Sequence, residues 1–122
     1  MDRIAHAGLF KLIFEITGTP IFGDAKKELI IFRIIQESFN NIIKHSAAEK
    51  VLLSLKYNSN TLSVSIVDDG KGFDPSKIID KTKAGLNNIS NRVKILNGIV
   101  SISSIPNKGT EIHFSIPIQW HE

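Results

Sequence analysis

Residues 61–68, TLSVSIVD, set Leu62, Val64 and Ile66 in alternation with Ser63 and Ser65. A period of two makes a strand with one apolar and one polar face. The polar link Asn58-Ser59-Asn60 joins it to a second strand-like run at 50–57, and Pro106-Asn107-Lys108-Gly109 joins a further pair at 99–105 and 110–118. Both pairs read as antiparallel hairpins. A sheet with one apolar face must be covered by another layer, and the rest of the chain supplies amphipathic helices to do it.

Residues 25–46 place Ile31, Ile35, Phe39 and Ile42 along one side at helical intervals, with Asp24 in front as N-cap. Leu86, Ile89, Val93 and Leu96 mark a further helix that ends at Asn97-Gly98. Leu9, Leu12, Ile13 and Ile16 have the same spacing, so residues 4–16 read as an opening helix broken by Gly18-Thr19-Pro20. Ile21 and Phe22 then form a short strand or an extended link. Asp68 to Lys83 carries glycines, charges and Pro75 and reads as a long loop. The order αβαββαββ, with strands in hairpins rather than crossovers, gives an α+β sandwich with its helices on one sheet face.

Composition narrows the function classes. The 122 residues fit one domain, and 42% hydrophobic content supports a core. Fifteen Lys and Arg against twelve Asp and Glu leave a net charge of +3, spread without runs. That is a solvated surface rather than a nucleic-acid footprint. With no cysteine, disulfides and thiolate metal sites are excluded, which fits a reducing interior. No apolar stretch approaches the roughly 20 residues of a membrane span, and the signal-peptide pattern is missing. The expectation is a soluble, cytoplasmic domain.

Four short segments carry the chemistry. In QESFNNIIKHS, residues 36–46, Glu37, Asn41, Lys44 and His45 share an i, i+4, i+7, i+8 edge, roughly opposite Ile35, Phe39 and Ile42. A polar stripe is ordinarily a helix's wet face. This one, however, mixes an acid, an amide and two potential cations on a helix that is otherwise mostly apolar. Those are the groups that hold a metal-phosphate: oxygen ligands for Mg²⁺, a cation for phosphate oxygens and an acid to take a proton. One histidine without close partners is too little for zinc. VDDGKGFDP, residues 67–75, follows a strand; alone it is a turn, but its glycines let a ligand approach the backbone and its carboxylate can accept from an exocyclic amine. KAGLNNISNR, residues 83–92, puts Gly85 at the opening of a helix, where unpaired N–H groups favour phosphate. NKGTEI, residues 107–112, needs nothing beyond a hairpin turn.

Their order is more specific than any one of them. An acid-and-amide helix, D-x-G-x-G after a strand, G-L-x-N-I opening a helix and G-T in a hairpin together resemble the GHKL ATPase superfamily of gyrase, heat-shock chaperone ATPases, histidine kinases and the mismatch-repair ATPase. More narrowly, QESFNNIIKHS, DDGKGF and GLNNISNRV resemble the ATP-binding domain of sensor histidine kinases of the nitrate-sensor-like type, over roughly residues 28–117. The resemblance implies a two-layer α+β sandwich, with three helices on one face of a mixed, mainly antiparallel sheet. It implies ATP and Mg²⁺ as ligands. Glu37 would be the catalytic residue near the γ-phosphate and Asn41 the Mg²⁺ ligand; Lys44 would contact phosphate and His45 the nucleotide. Asp68 would accept from the adenine amino group, with Gly70 and Gly72 shaping its pocket. Residues 73–85 would form a lid, Gly85 and Leu86 would offer backbone N–H groups, and Thr110 would close the adenine side.

The chain departs from the family pattern at the glycine box, where Lys83-Ala84-Gly85-Leu86 replaces G-x-G-L, and at Asp69, where Asn is frequent. It also shows no phosphoacceptor region: His6 lacks a following acidic residue, and His113 and His121 need no function. Residues 1–122 are therefore expected to be a single, monomeric catalytic domain of a longer kinase, itself cytoplasmic or the cytoplasmic part of a membrane-bound parent. Its partners would be the parent's phosphoacceptor histidine domain and, through it, a response regulator, with no nucleic acid. The alternatives are a serine-protein kinase of the anti-sigma-factor type and a non-catalytic interaction module on the same fold.

Overall fold

A computed structural model describes residues 10–19, 24–74 and 80–118, with the backbone alone at His45, Ser46 and residues 80–82. The elements are β1 (Lys11–Thr17), α1 (Ala25–Asn41), a π-helical turn (Ile42–Ser46), β2 (Lys50–Tyr57), β3 (Thr61–Asp68), α2 (Asp80–Ile95), β4 (Ile99–Ile105) and β5 (Gly109–Pro117). They build one five-stranded sheet in the order β1-β2-β3-β5-β4, antiparallel except for the parallel pair β1 and β2.

Alternation decides which side of the sheet is covered. Two apolar rows cross the sheet beneath the helices: Phe14–Leu53–Ile66–Ile112–Ile102, then Leu55–Val64–Phe114–Val100. Phe114, Val64 and Ile66 are buried there with Ile34 of α1 and Ile89 and Val93 of α2. Each such side chain contributes about 1.5–3 kcal/mol by leaving water. The other face is lined by serines; Ser63 and Ser115 hydroxyls lie 3.2 Å apart, and Ser65 Oγ lies 2.7 Å from His113 Nδ1. His113 is thus accounted for by a cross-strand contact, while His6 and His121 lie outside the described residues.

The expected opening helix at 4–16 is replaced, over its described part, by strand β1. Spacing alone could not separate the two, because Leu12-Ile13-Phe14 suits a strand as well as a helix face. The open edge of β2 decides it: Leu12 pairs with Val51 and Phe14 with Leu53, and Phe10 stacks on Phe39 of α1 at 6.1 Å. β1–α1–β2 is thus a parallel crossover, against the expectation of hairpins alone. Among the described residues there are two α-helices, not three. The Ile21–Phe22 link lies outside them.

Asp24 caps α1 as expected, its carboxylate accepting the N–H groups of Lys26 and Lys27 at 3.0 and 3.2 Å. The expected helix 25–46, however, changes character at Ile42, where the π-helical turn begins, and stops at Ala47, which is left-handed at φ 50°. α1 also faces the sheet differently. Its fully covered stripe is Ile34, Ser38 and Ile42, with Ile31, Ile35 and Phe39 only half-buried. At 100° per residue, Glu37 and Asn41 therefore flank the buried stripe instead of opposing it. α2 begins at Asp80, inside the expected loop, and ends through Asn97 at φ 59°, with the Gly98 N–H returning to the Val93 carbonyl.

Candidate nucleotide site

The covered face of the sheet turns polar in its last row. There Leu12 and Val51 continue into Asp68, Thr110 and Ser104, which are cross-strand neighbours on β3, β5 and β4. Asp68 is 5% exposed, and its carboxylate accepts the Gly70 N–H at 2.9 Å, tightening the loop that follows β3. Gly72 has φ 62°, and a Cβ there would run into the Ile105 carbonyl oxygen, so the loop can lie flat on the β4–β5 hairpin only with glycine. The Asn107 N–H donates to the Lys71 carbonyl, and Phe73 N–H donates to Ser104 Oγ at 2.8 Å. Ser104 Oγ in turn lies 2.8 Å from Thr110 Oγ1.

The second cluster lies between the helices. Glu37 and Asn41 are half-buried and face Gly85 of α2. A Cβ on Gly85 would come 2.8 Å from Asn41 Oδ1, 3.0 Å from Glu37 Oε1 and 3.2 Å from Asn41 Nδ2. One amide and one carboxylate thus pack side by side against Gly85, as close as a hydrogen side chain allows. Asn41 Nδ2 is buried there and has no hydrogen-bond partner among the described residues. A buried amide left unpaired costs about 1–3 kcal/mol, so this one calls for a water, an ion or a ligand as its partner. Turning the amide over would put its oxygen in the orphaned position. The pair fits a hard cation that takes one or two protein oxygens and fills its remaining positions with water and phosphate.

Asp69 joins the two clusters. Its Oδ1 accepts the N–H groups of both Glu49 and Lys50, each at 2.9 Å, so the chain leaving the π-helical turn is held to the loop that carries Asp68 and Gly70. The end of α1, the start of β2, the end of β3 and the β4–β5 turn consequently share one end of the sheet, and Gly85 is brought to it by α2. All four sequence motifs meet there. Lys44 is exposed on the π-helical turn. His45 is on the same turn, its side chain outside the description. Gly70 is buried and Leu86 packs against the core. Gly85 does not open its helix: the four amides a helix leaves unpaired belong here to Asp80–Lys83. Of the expected lid, residues 75–79 lie outside the description and 80–85 are helical. The sequence reading missed Ser104, although its alternation with Val100 and Ile102 places a hydroxyl on the covered face. It also missed Asp69 as a brace.

The sequence profile described as Histidine kinase-, DNA gyrase B-, and HSP90-like ATPase matches residues 26–119. The chain belongs to this ATPase family. It is 36% identical to the sensor histidine kinase LiaS of Bacillus subtilis over 97% of its own length and 32% of that protein. It is 32% identical to the oxygen sensor histidine kinase NreB of Staphylococcus carnosus over 78% of its length and 27% of that protein. It spans about a third of the length of these relatives. Among solved structures, the histidine kinase AdeS of Acinetobacter baumannii shares the fold with a TM-score of 0.72 at 22% identity, over 92% of this chain and 56% of that one. The α+β architecture is thus that of histidine-kinase ATPase domains in this family.

Proposed function

We propose that residues 1–122 form one ATP·Mg²⁺-binding catalytic domain of a sensor histidine kinase. In this reading it donates the γ-phosphoryl group to a histidine on the parent's dimerisation domain, from which a response regulator takes it. The observation that carries the reading is Asn41, whose amide nitrogen is buried near Gly85 with no partner among the described residues. It stands at the same end of the sheet as the acceptor row of Asp68 and Thr110. One set of groups suits a base edge, the other a metal-phosphate.

Phosphoryl transfer asks a protein mainly to position phosphates and neutralise charge. Asp68 fixes the base end by accepting from the exocyclic amine, and Gly70 and Gly72 let the base approach the backbone. Asn41 would hold Mg²⁺, and Glu37, aimed at the same point, would orient the acceptor histidine near the γ-phosphate. The bound Mg²⁺ would supply charge neutralisation on the phosphates. Lys44 adds an exposed cation and His45 a second contact, while Gly85 leaves the room this arrangement needs and Thr110 closes the adenine side. Sensor histidine kinases among the relatives favour the histidine branch over an anti-sigma-type serine kinase. Among the described residues no helix is long and apolar enough to cross a membrane. In this reading the domain is cytoplasmic and acts as a monomer until its parent's helices pair it.

Calorimetric binding of a non-hydrolysable ATP analogue, with and without Mg²⁺, tests this. Asp68→Ala removes a hydrogen bond to a charged group, so affinity falls about 10- to 100-fold with or without metal. Asn41→Ala loses chiefly the Mg²⁺-dependent part. A folded chain that binds no analogue at millimolar concentration would overturn the reading in favour of a non-catalytic module.

A further inference from the structure

The polar row at the end of the sheet contains one hydroxyl to which the nucleotide reading gives no role. Ser104 Oγ meets three groups: Phe73 N–H at 2.8 Å, Thr110 Oγ1 at 2.8 Å and the Gly109 carbonyl oxygen at 3.2 Å. A serine hydroxyl has one proton and two lone pairs. The Phe73 amide can only donate, and the Gly109 carbonyl can only accept. All three contacts therefore coexist in one arrangement: Ser104 gives its proton to Gly109, and Thr110 gives its own to Ser104. Thr110 is left with lone pairs alone for anything else that approaches it. Its neighbour across the strands is Asp68, whose carboxylate is also an acceptor.

We propose that Ser104 is a positioning residue for base selection, which fixes Thr110 as an acceptor beside Asp68 so that the site takes a base edge bearing an amine and rejects one bearing a carbonyl oxygen. This rests on the reading of Asp68 and Thr110 as the base end of an ATP site. A site built to accept hydrogen bonds discriminates because the wrong base leaves its lone pairs facing another acceptor. Without Ser104, Thr110 can rotate and donate to that oxygen, and the Phe73 amide loses its partner.

The test measures binding of non-hydrolysable ATP and GTP analogues by competition, on the unaltered chain, Ser104→Ala, Ser104→Thr and Thr110→Val. Loss of one ordinary hydrogen bond corresponds to roughly fivefold to tenfold. Ser104→Ala is expected to shrink the preference for the ATP analogue by about that factor, and Ser104→Thr to restore it. In the Thr110→Val background Ser104→Ala should add nothing to the loss. If Ser104→Ala does not fold, Thr110→Val alone must shrink the preference. Equal weakening of both analogues would overturn the proposal, since it would make Ser104 a brace for the loop and no more. An unchanged ratio in a chain that still binds the ATP analogue would sink this inference while sparing the ATP site. A chain that binds neither analogue would sink both.

Discussion

Ser38 is fully buried in α1, and among the described residues its hydroxyl serves only its own helix, donating to the Ile34 carbonyl at 2.8 Å. That carbonyl keeps its backbone partner when the hydroxyl is removed, so Ser38→Ala leaves no orphan. Urea denaturation should find the variant within about 0.5 kcal/mol of the parent. Gly85 behaves differently. Replacing an interior helix glycine with alanine ordinarily gains about 1 kcal/mol. Here the new methyl arrives 2.8 Å from Asn41 Oδ1 and 3.0 Å from Glu37 Oε1 and must displace them. Gly85→Ala is expected to keep stability within about 1 kcal/mol, the helix gain offsetting the displacement. It should nevertheless lose the Mg²⁺-dependent part of analogue binding as fully as Asn41→Ala. Stability and binding measured on one sample separate the two effects. Most residues of the candidate site were legible in the sequence because their types are rare in such positions: an amide and an acid on an apolar helix, an Asp before two glycines. Ser104 was not, since a serine in a strand of serines stands out only once the strand's covered face is known.

At the scale of elements, periodicity located the hairpins and the body and end of α2. Strands 50–57 and 61–68 stand where alternation put them, since a period of two admits no other structure with one covered face. The misjudged elements were those whose partners are distant in sequence. β1 is a strand because β2 offers an edge nearly forty residues further on. α1 gives way to a π-helical turn that no spacing announces, and the start of α2 at Asp80 follows from Lys83 and Ala84, helix formers standing where the family's glycine would interrupt. The end of α2 was readable, because Asn-Gly after an apolar stripe is a stop signal. Asn97 sits at φ 59° there, a conformation that costs an alanine about 1–2 kcal/mol. Asn97→Ala should lower the Tm by several degrees while Asn97→Gly should not, as thermal unfolding followed by circular dichroism would show.

For the whole molecule, Tyr57 links helix, sheet and pH. Burial first, and the Glu28 carboxylate second, raise its phenol above the ordinary value of 10.0. The unfolded chain then releases this proton before the folded one does. The stabilising contribution is complete below pH 10 and is lost as pH rises through the folded value. Tyr57 is the chain's one tyrosine, so tyrosinate absorbance reports it alone. Its midpoint should lie higher in the folded protein than in urea, and Tyr57→Phe should flatten the alkaline fall in stability. The sequence by itself determined the layers, the hairpins and the chemical types at the site, because alternation, helical spacing and residues such as Asp68, Gly72 and Asn41 act locally. Only the tertiary structure decided that β1 closes the sheet in parallel, that Glu37 and Asn41 converge on Gly85, and that Ser104, Thr110 and Asp68 form one row. Those are meetings of residues far apart in the chain, set by strand register and by which helix face the sheet buries, and no local pattern encodes either.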